Sequence, residues 1–139
     1  MREKILCPVC QVSFLLREEK KDGDEVICPV CGAVLIMRMD EEKRHLERPP
    51  DMDPEEEIRR RMDNFAKLRT YHFNQMKNPL IEGLLAKRER FGDFYCPCKI
   101  DHIQENVCPC LETRMGSVEQ NGKCHCGLFW KEPPKNGEK

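Results

Sequence analysis

The chain has 139 residues, 39% apolar and 35% charged, with a formal net charge of −1 and ten cysteines. A balance this close to neutral argues against a general nucleic-acid binder, whose affinity comes mostly from neutralising phosphates. The length allows one ordinary domain or two small ones, and a chain this polar split in two has thin cores, so metal ligation is expected to supply folding energy. Neither the start nor any later stretch has an apolar run long enough for a signal peptide or a membrane span. A cytoplasmic location without a membrane partner is therefore expected. There, cysteines serve as metal ligands or redox groups more often than as structural disulfides, which disfavours a secreted disulfide scaffold.

Residues 1–39 are predicted to form a small metal-clamped β unit. The segments Lys4–Leu6, Val12–Leu16, Glu25–Ile27 and Ala33–Met39 are short and β-prone, with Asp22-Gly23-Asp24 as a turn. Cys7-Pro8-Val9-Cys10 and Cys28-Pro29-Val30-Cys31 are separated by 17 residues, a spacing that places Cys7, Cys10, Cys28 and Cys31 around one tetrahedral ion. Zinc and iron both accept four thiolates, so a structural zinc ribbon and a redox-active iron site are both open at this point.

Residues 40–57 carry nine acids against Lys43, Arg44 and Arg48, together with Pro49, Pro50 and Pro54. This stretch is expected to be a solvated, semi-stiff linker. A helix is predicted to begin at its end, with Asp53 as N-cap, Pro54 in the first position and Glu55–Glu57 complementing the dipole. Ile58, Met62, Phe65, Leu68 and the Tyr71–Phe73 region give it one buried stripe. A second helix is predicted after Asn78-Pro79, burying Leu80, Ile81, Leu84 and Leu85 and ending near Phe91-Gly92. Gly83 inside it costs about 1 kcal/mol relative to alanine, so close packing is expected to require it. Residues 58–95 hold nine Lys or Arg against four acids, a net of +5. That charge reads either as a solvated helix face or as a docking surface for an acidic partner.

Six cysteines remain, as Cys96-Pro97-Cys98, Cys108-Pro109-Cys110 and Cys124-His125-Cys126. A [4Fe–4S] cluster takes four thiolates, which leaves two that can close into a disulfide and open again. The competing reading is one or two further zinc sites with His125 as an occasional ligand, although zinc knuckles usually leave two to four residues between cysteines. Leu128, Phe129 and Trp130 are expected to shield such a centre from water or to meet a partner protein. The tail, 133–139, is expected to be disordered.

The knuckle Cys28-Pro29-Val30-Cys31-Gly32 resembles those of rubredoxins, which hold a single redox-active iron. The order CPC, CPC, CHC resembles the catalytic subunit of ferredoxin:thioredoxin reductases. So do Asn64-Phe65-Ala66-Lys67, Ile81-Glu82-Gly83-Leu84, the approach Tyr95-Cys96-Pro97-Cys98 and the ending Cys124-His125-Cys126-Gly127-Leu128-Phe129. The resemblance covers about residues 56–132. Nine residues separate Cys98 from Cys108 and thirteen separate Cys110 from Cys124, whereas in the plant-type enzymes the first gap is longer and the second shorter. With its N-terminal metal unit the chain is similar to the ferredoxin:disulfide reductases of anaerobic microbes that carry a rubredoxin-like domain.

The resemblance implies a mostly α catalytic domain around a [4Fe–4S] cluster at 58–132, joined through 40–57 to a small β rubredoxin-like or zinc-ribbon domain at 1–39. It implies that Cys96, Cys108, Cys110 and Cys124 ligate the cluster and that Cys98 and Cys126 form the active-site disulfide. Cys98 would be the exposed nucleophile, Cys126 the cluster-side thiol, and His125 a manager of protons near them. Cys7, Cys10, Cys28 and Cys31 would hold one iron or zinc. The implied activity is that of a ferredoxin-dependent disulfide reductase acting on thioredoxin-like or glutaredoxin-like proteins. Ferredoxins deliver single electrons and a disulfide takes two, so a centre beside the disulfide is needed to hold the odd electron. Low-potential clusters near −400 mV suffice to reduce a thioredoxin near about −270 mV. Because attack requires the thiolate, a lowered pKa is expected at Cys98. The alternative from another class is a non-catalytic multi-zinc adaptor that binds a protein partner.

Overall fold

In the computed structural model, residues 4–16, 20–40 and 43–133 are described. Two hairpins of the same plan carry the two knuckles. Strand β1 (Lys4–Leu6) pairs antiparallel with β2 (Ser13–Leu15), Ile5 opposite Phe14. Strand β3 (Glu25–Ile27) pairs antiparallel with β4 (Val34–Asp40), Val26 opposite Leu35. The period of two explains which side chains go inward: Ile5, Phe14, Val26 and Leu35 are buried, while Leu6, Leu15 and Ile27 beside them are exposed. The second and fourth strands are shifted from the predicted bounds because the cysteine turns take Val12 and Ala33 as their closing residues. Cys7 N donates to Val12 O and Cys28 N to Ala33 O, each at 3.0 Å.

The stretch read from sequence as an open linker contributes a strand. β5 (Lys43–Glu47) pairs antiparallel with β4, completing a sheet in the order β3-β4-β5. Its charges mask an alternating pattern with one inward residue: Leu46 opposes Met37 and both are buried, while Arg38 and Glu47 pair at 2.7 Å on the outer face. Arg48 then pairs with Glu57 and Asp93. Residues 41–42, within the same stretch, lie outside the described residues, as do 134–139 of the tail expected to be disordered.

Helix α1 (Pro54–Arg69) begins as expected, Asp53 Oδ2 accepting from Glu55 N at 3.1 Å and Glu56 N at 3.4 Å. It buries Ile58, Met62, Phe65 and Ala66. Leu68 departs from the expected stripe: it lies 47% exposed, beside Ile27 at a shallow cleft on the flank that faces the N-terminal hairpins. Helix α2 (Lys77–Phe91) starts before the predicted boundary after Asn78-Pro79, taking that proline into the first turn where its missing N–H costs nothing, and ends at Gly92 with φ 91°. Leu80, Ile81 and Leu84 are buried, Leu85 partly. Two short helices follow, α3 (Leu111–Arg114) and α4 (Ser117–Asn121).

The described residues thus form four helices and two small antiparallel sheets around two cores. One core surrounds the N-terminal cysteines; the other lies between α1, α2 and the C-terminal segments. They meet at α1 and at the segments flanking Cys96 and Cys108. Asn64 Nδ2 donates to Gly32 O at 3.0 Å, Arg60 pairs with both oxygens of Glu25, and Gln104 Nε2 donates to Val9 O. Val107 belongs to the N-terminal core, and Tyr95 packs against it. Among the described residues no helix is long and apolar enough to cross a membrane.

Candidate metal and disulfide centres

The two hairpins turn their cysteines toward one point. Gln11 N donates to Cys7 O and Gly32 N to Cys28 O, each at 2.9 Å, and Gln11 and Gly32 both take positive φ, 64° and 81°. The four sulfurs of Cys7, Cys10, Cys28 and Cys31 all lie within 4.8 Å of one another and all four residues are buried. Cys7 and Cys31 are 3.8 Å apart, as are Cys10 and Cys28. Cys10 N and Val30 N point at the sulfurs of Cys7 and Cys28. Four thiols this close cannot all ionise unaided. Contact with Cys28, Cys31 and Cys7 holds the Cys10 thiol far down, while Cys10, Cys28 and Cys7 push Cys31 far up. A single cation resolves that conflict, so the site fits a metal.

At the other end, local pairing brings the cysteine pairs together. Phe94–Cys96 runs antiparallel to Asn106–Cys108: Cys96 N donates to Asn106 O at 2.7 Å and Cys108 N to Phe94 O at 2.8 Å. The nine residues between Cys98 and Cys108 therefore loop out and return, leaving Cys96 and Cys108 on adjoining segments, one on either side of the Tyr95–Val107 pair. Cys124 N donates to Phe129 O and Gly127 N to Cys124 O, both at 3.0 Å, and Gly127 has φ 83°. That turn places Cys124 and Cys126 with sulfurs 3.7 Å apart. Gly83 is explained at the same place, since a Cβ on it would lie 3.0 Å from Pro97 Cγ. Without a side chain, α2 can lie directly against the Cys96-Pro97-Cys98 turn.

Burial divides the six cysteines. Cys96, Cys108, Cys110 and Cys124 are buried, Cys126 is half-buried and Cys98 is exposed. His125, between Cys124 and Cys126, is exposed. Leu128 and Phe129 are buried in the same core as Cys108 and Cys124, and Phe129 stacks edge-on against Phe65. Met62 Sδ lies 3.4 Å from Cys108 Sγ, and Thr113 Oγ1 lies 3.2 Å from Cys110 Sγ.

The surroundings favour thiolates at two of the buried positions. Cys126 and the amide groups of Phe129, Leu128 and Gly127 bring Cys124 down to about 6, against burial. Cys126 and the Cys98 amide bring Cys96 down to about 7, again against burial. Cys108 is pushed well above the ordinary range, first by burial and then by the negative charges of Cys96, Cys124 and Cys110. Buried anions without compensation are costly. This donor set therefore fits a positively charged inorganic centre. Among the described residues the C-terminal cysteines do not form a compact single-ion grouping like the N-terminal one.

The expectation of a lowered pKa at Cys98 does not hold in this arrangement. Partial burial, then the charges of Cys96 and Cys124, raise it, opposed by Cys126 and Lys123. The physical reason is loss of solvent around the thiolate, reinforced by the crowding of negative sulfurs. The basic character of 58–95 is also less free than its sequence implies. Arg59 pairs with Glu55, Arg60 with Glu25, Arg61 with Glu57 and Lys77 with Asp63.

Sequence reasoning passed over one group of polar residues. Glu57 and Arg61 stand four apart on α1, a spacing typical of an exposed helical pair, yet both are buried. Arg61 Nη2 donates to Glu57 Oε2 at 3.2 Å and Arg61 Nη1 to Cys108 O at 3.1 Å.

A family model described as ferredoxin thioredoxin reductase catalytic beta chain matches residues 51–139, spanning all six of these cysteines and both long helices. No curated protein matches the chain. The chain belongs to the ferredoxin thioredoxin reductase catalytic beta chain family, a family of oxidoreductases.

Proposed function

We propose that the protein is an iron–sulfur disulfide reductase that takes single electrons from ferredoxin and reduces thioredoxin-like or glutaredoxin-like proteins. Its catalytic domain, residues 58–132, would be built around a [4Fe–4S] cluster. The N-terminal metal unit, centred on 1–39 and extended by β5, would be rubredoxin-like or a zinc ribbon. The observation that carries this reading is the split in burial: four cysteines enclosed, one half-buried neighbour and one exposed.

Cys96, Cys108, Cys110 and Cys124 would hold the cluster, which when bound supplies storage for one electron. Cys98, accessible to a protein substrate, is the nucleophile. Its thiolate attacks one sulfur of the acceptor disulfide; that S–S bond breaks, a mixed disulfide forms, and the released acceptor thiolate takes a proton. Cys126 then attacks the Cys98 sulfur, which frees the second acceptor thiol and closes the Cys98–Cys126 disulfide. Two electrons from ferredoxin, delivered one at a time, and two protons reopen it. Cys126 is suited to the second role because its sulfur influences Cys96, Cys98 and Cys124 alike. His125, exposed beside it, would manage protons near the pair. Leu128 and Phe129 keep water from the buried sulfurs. A multi-zinc adaptor would need further compact sulfur groupings.

Trapping tests the assignment. Cys126→Ser incubated with an oxidised thioredoxin-like protein should accumulate a mixed disulfide through Cys98, and Cys98→Ser should accumulate none. Equal trapping by both variants, or by neither, would overturn the roles.

A further inference from the structure

We propose that Arg61 is a positioning residue whose buried charge sets the electron affinity of the six-cysteine centre. The inference rests on the reading that Cys96, Cys108, Cys110 and Cys124 hold an iron–sulfur centre. Arg61 is only 1% exposed. It stands on α1 next to Met62, whose sulfur touches Cys108, and its Nη1 donates to Cys108 O at 3.1 Å. Nε has no hydrogen-bond partner, and the guanidinium lies over the Phe94 ring, 5.2 Å from its centre.

Packing alone gives no reason for a charge here. An apolar side chain of similar volume fills such a position without the desolvation cost of a buried cation. Glu57 is not held by Arg61 alone, because the same Oε2 accepts from Arg48 Nε at 3.0 Å. Arg48 in turn pairs with Asp93 at 3.1 Å. Two cations and two anions therefore form a chain, and the end bonded to the cysteine backbone is positive. In a dry interior a charge is weakly screened and acts over several ångströms. Adding an electron to the centre makes it more negative, so a neighbouring cation favours the reduced form and a neighbouring anion the oxidised one. Arg61 and Glu57 should therefore act with opposite sign.

The experiment uses the full chain, reconstituted anaerobically with iron and sulfide. It reads iron and sulfide content first, and then the midpoint potential of the sulfide-containing centre by redox titration with electron paramagnetic resonance. Arg61→Gln, which keeps a donor near Cys108 O but removes the charge, should shift the potential to more negative values. Arg61→Lys should stay close to the parent. Glu57→Gln, with Arg48 and Arg61 both present, should shift it to less negative values. If Arg61→Gln fails to load, the sign of the Glu57→Gln shift decides. Loaded Arg61→Gln and Glu57→Gln at the parent potential, or the two moving in the same direction, would overturn the proposal. A parent chain that binds no sulfide would instead overturn the functional reading beneath it.

Discussion

Gly32 and Phe65 meet backbone to backbone: a Cβ on Gly32 would stand 2.6 Å from Phe65 N and 3.0 Å from Phe65 Cα, and 2.7 Å from Arg61 O. The second knuckle is thereby seated on α1, the helix whose other residues line the C-terminal cysteines. The positive φ alone does not demand glycine, because Gln11 takes the same conformation in the sister hairpin. Close approach does.

Gly32→Ala should therefore cost roughly 2–5 kcal/mol, combining left-handed strain with overpacking against backbone that cannot yield. Gly23→Ala is the control, with φ 90° and nothing within 4 Å, and should cost about 1–2 kcal/mol from strain alone. Denaturant unfolding of the metal-loaded proteins measures both, and equal losses would mean the contact with α1 carries no weight.

Gly83→Ala sets two effects against each other. Alanine favours the helix by about 1 kcal/mol, whereas its Cβ presses on Pro97 at 3.0 Å. Stability should change little, but Gly83→Val should displace the Cys96-Pro97-Cys98 turn. Alkylation of Cys98 should then change in rate and reductase turnover should fall, while helix content by circular dichroism stays the same.

Loading of the N-terminal site should be felt near the C-terminal one. Tyr95 and Val107 pack with the core around Cys7, Cys10, Cys28 and Cys31, and each adjoins a buried cysteine of the other centre. Cys28→Ser should remove the N-terminal metal and speed amide exchange at Tyr95, Cys96, Val107 and Cys108. Unchanged exchange at these amides would show the two cores to be independent.

Tyr71 ties the end of α1 to α4, its hydroxyl donating to Glu119 at 2.7 Å. Burial, then the Glu119 carboxylate, push the phenol up to about 12. The folded state thus keeps a proton that the unfolded chain loses at its ordinary value near 10. This contribution is complete below pH 10 and is lost as pH rises toward 12. Tyr71→Phe should be about 1 kcal/mol less stable near neutrality and should show a shallower alkaline fall in unfolding free energy than the parent.

The sequence was legible wherever one short-range rule dominated. Asp53 and Pro54 marked the start of α1, Gly92 marked the end of α2, and the cysteine knuckles fixed β1 and β3. β5 was hidden because its single inward residue, Leu46, is surrounded by charges whose composition resembles a solvated segment. Leu68 followed the helical period, but which flank of α1 is covered depends on where the N-terminal hairpins dock. The Glu57–Arg61–Arg48 group was invisible for a related reason: an i,i+4 ion pair looks the same whether solvent or a second core lies outside it. The raised Cys98 arises first from partial burial and then from the charges of Cys96 and Cys124, and neither its burial nor the approach of Cys124 is visible in the spacing.

The most direct test of the central claim is metal and acid-labile sulfide analysis of the anaerobically purified chain. A cluster held by Cys96, Cys108, Cys110 and Cys124 predicts about four irons and four sulfides per chain at that centre, with one further iron or zinc at the N-terminal cysteines. Zinc alone, with no sulfide, would contradict it.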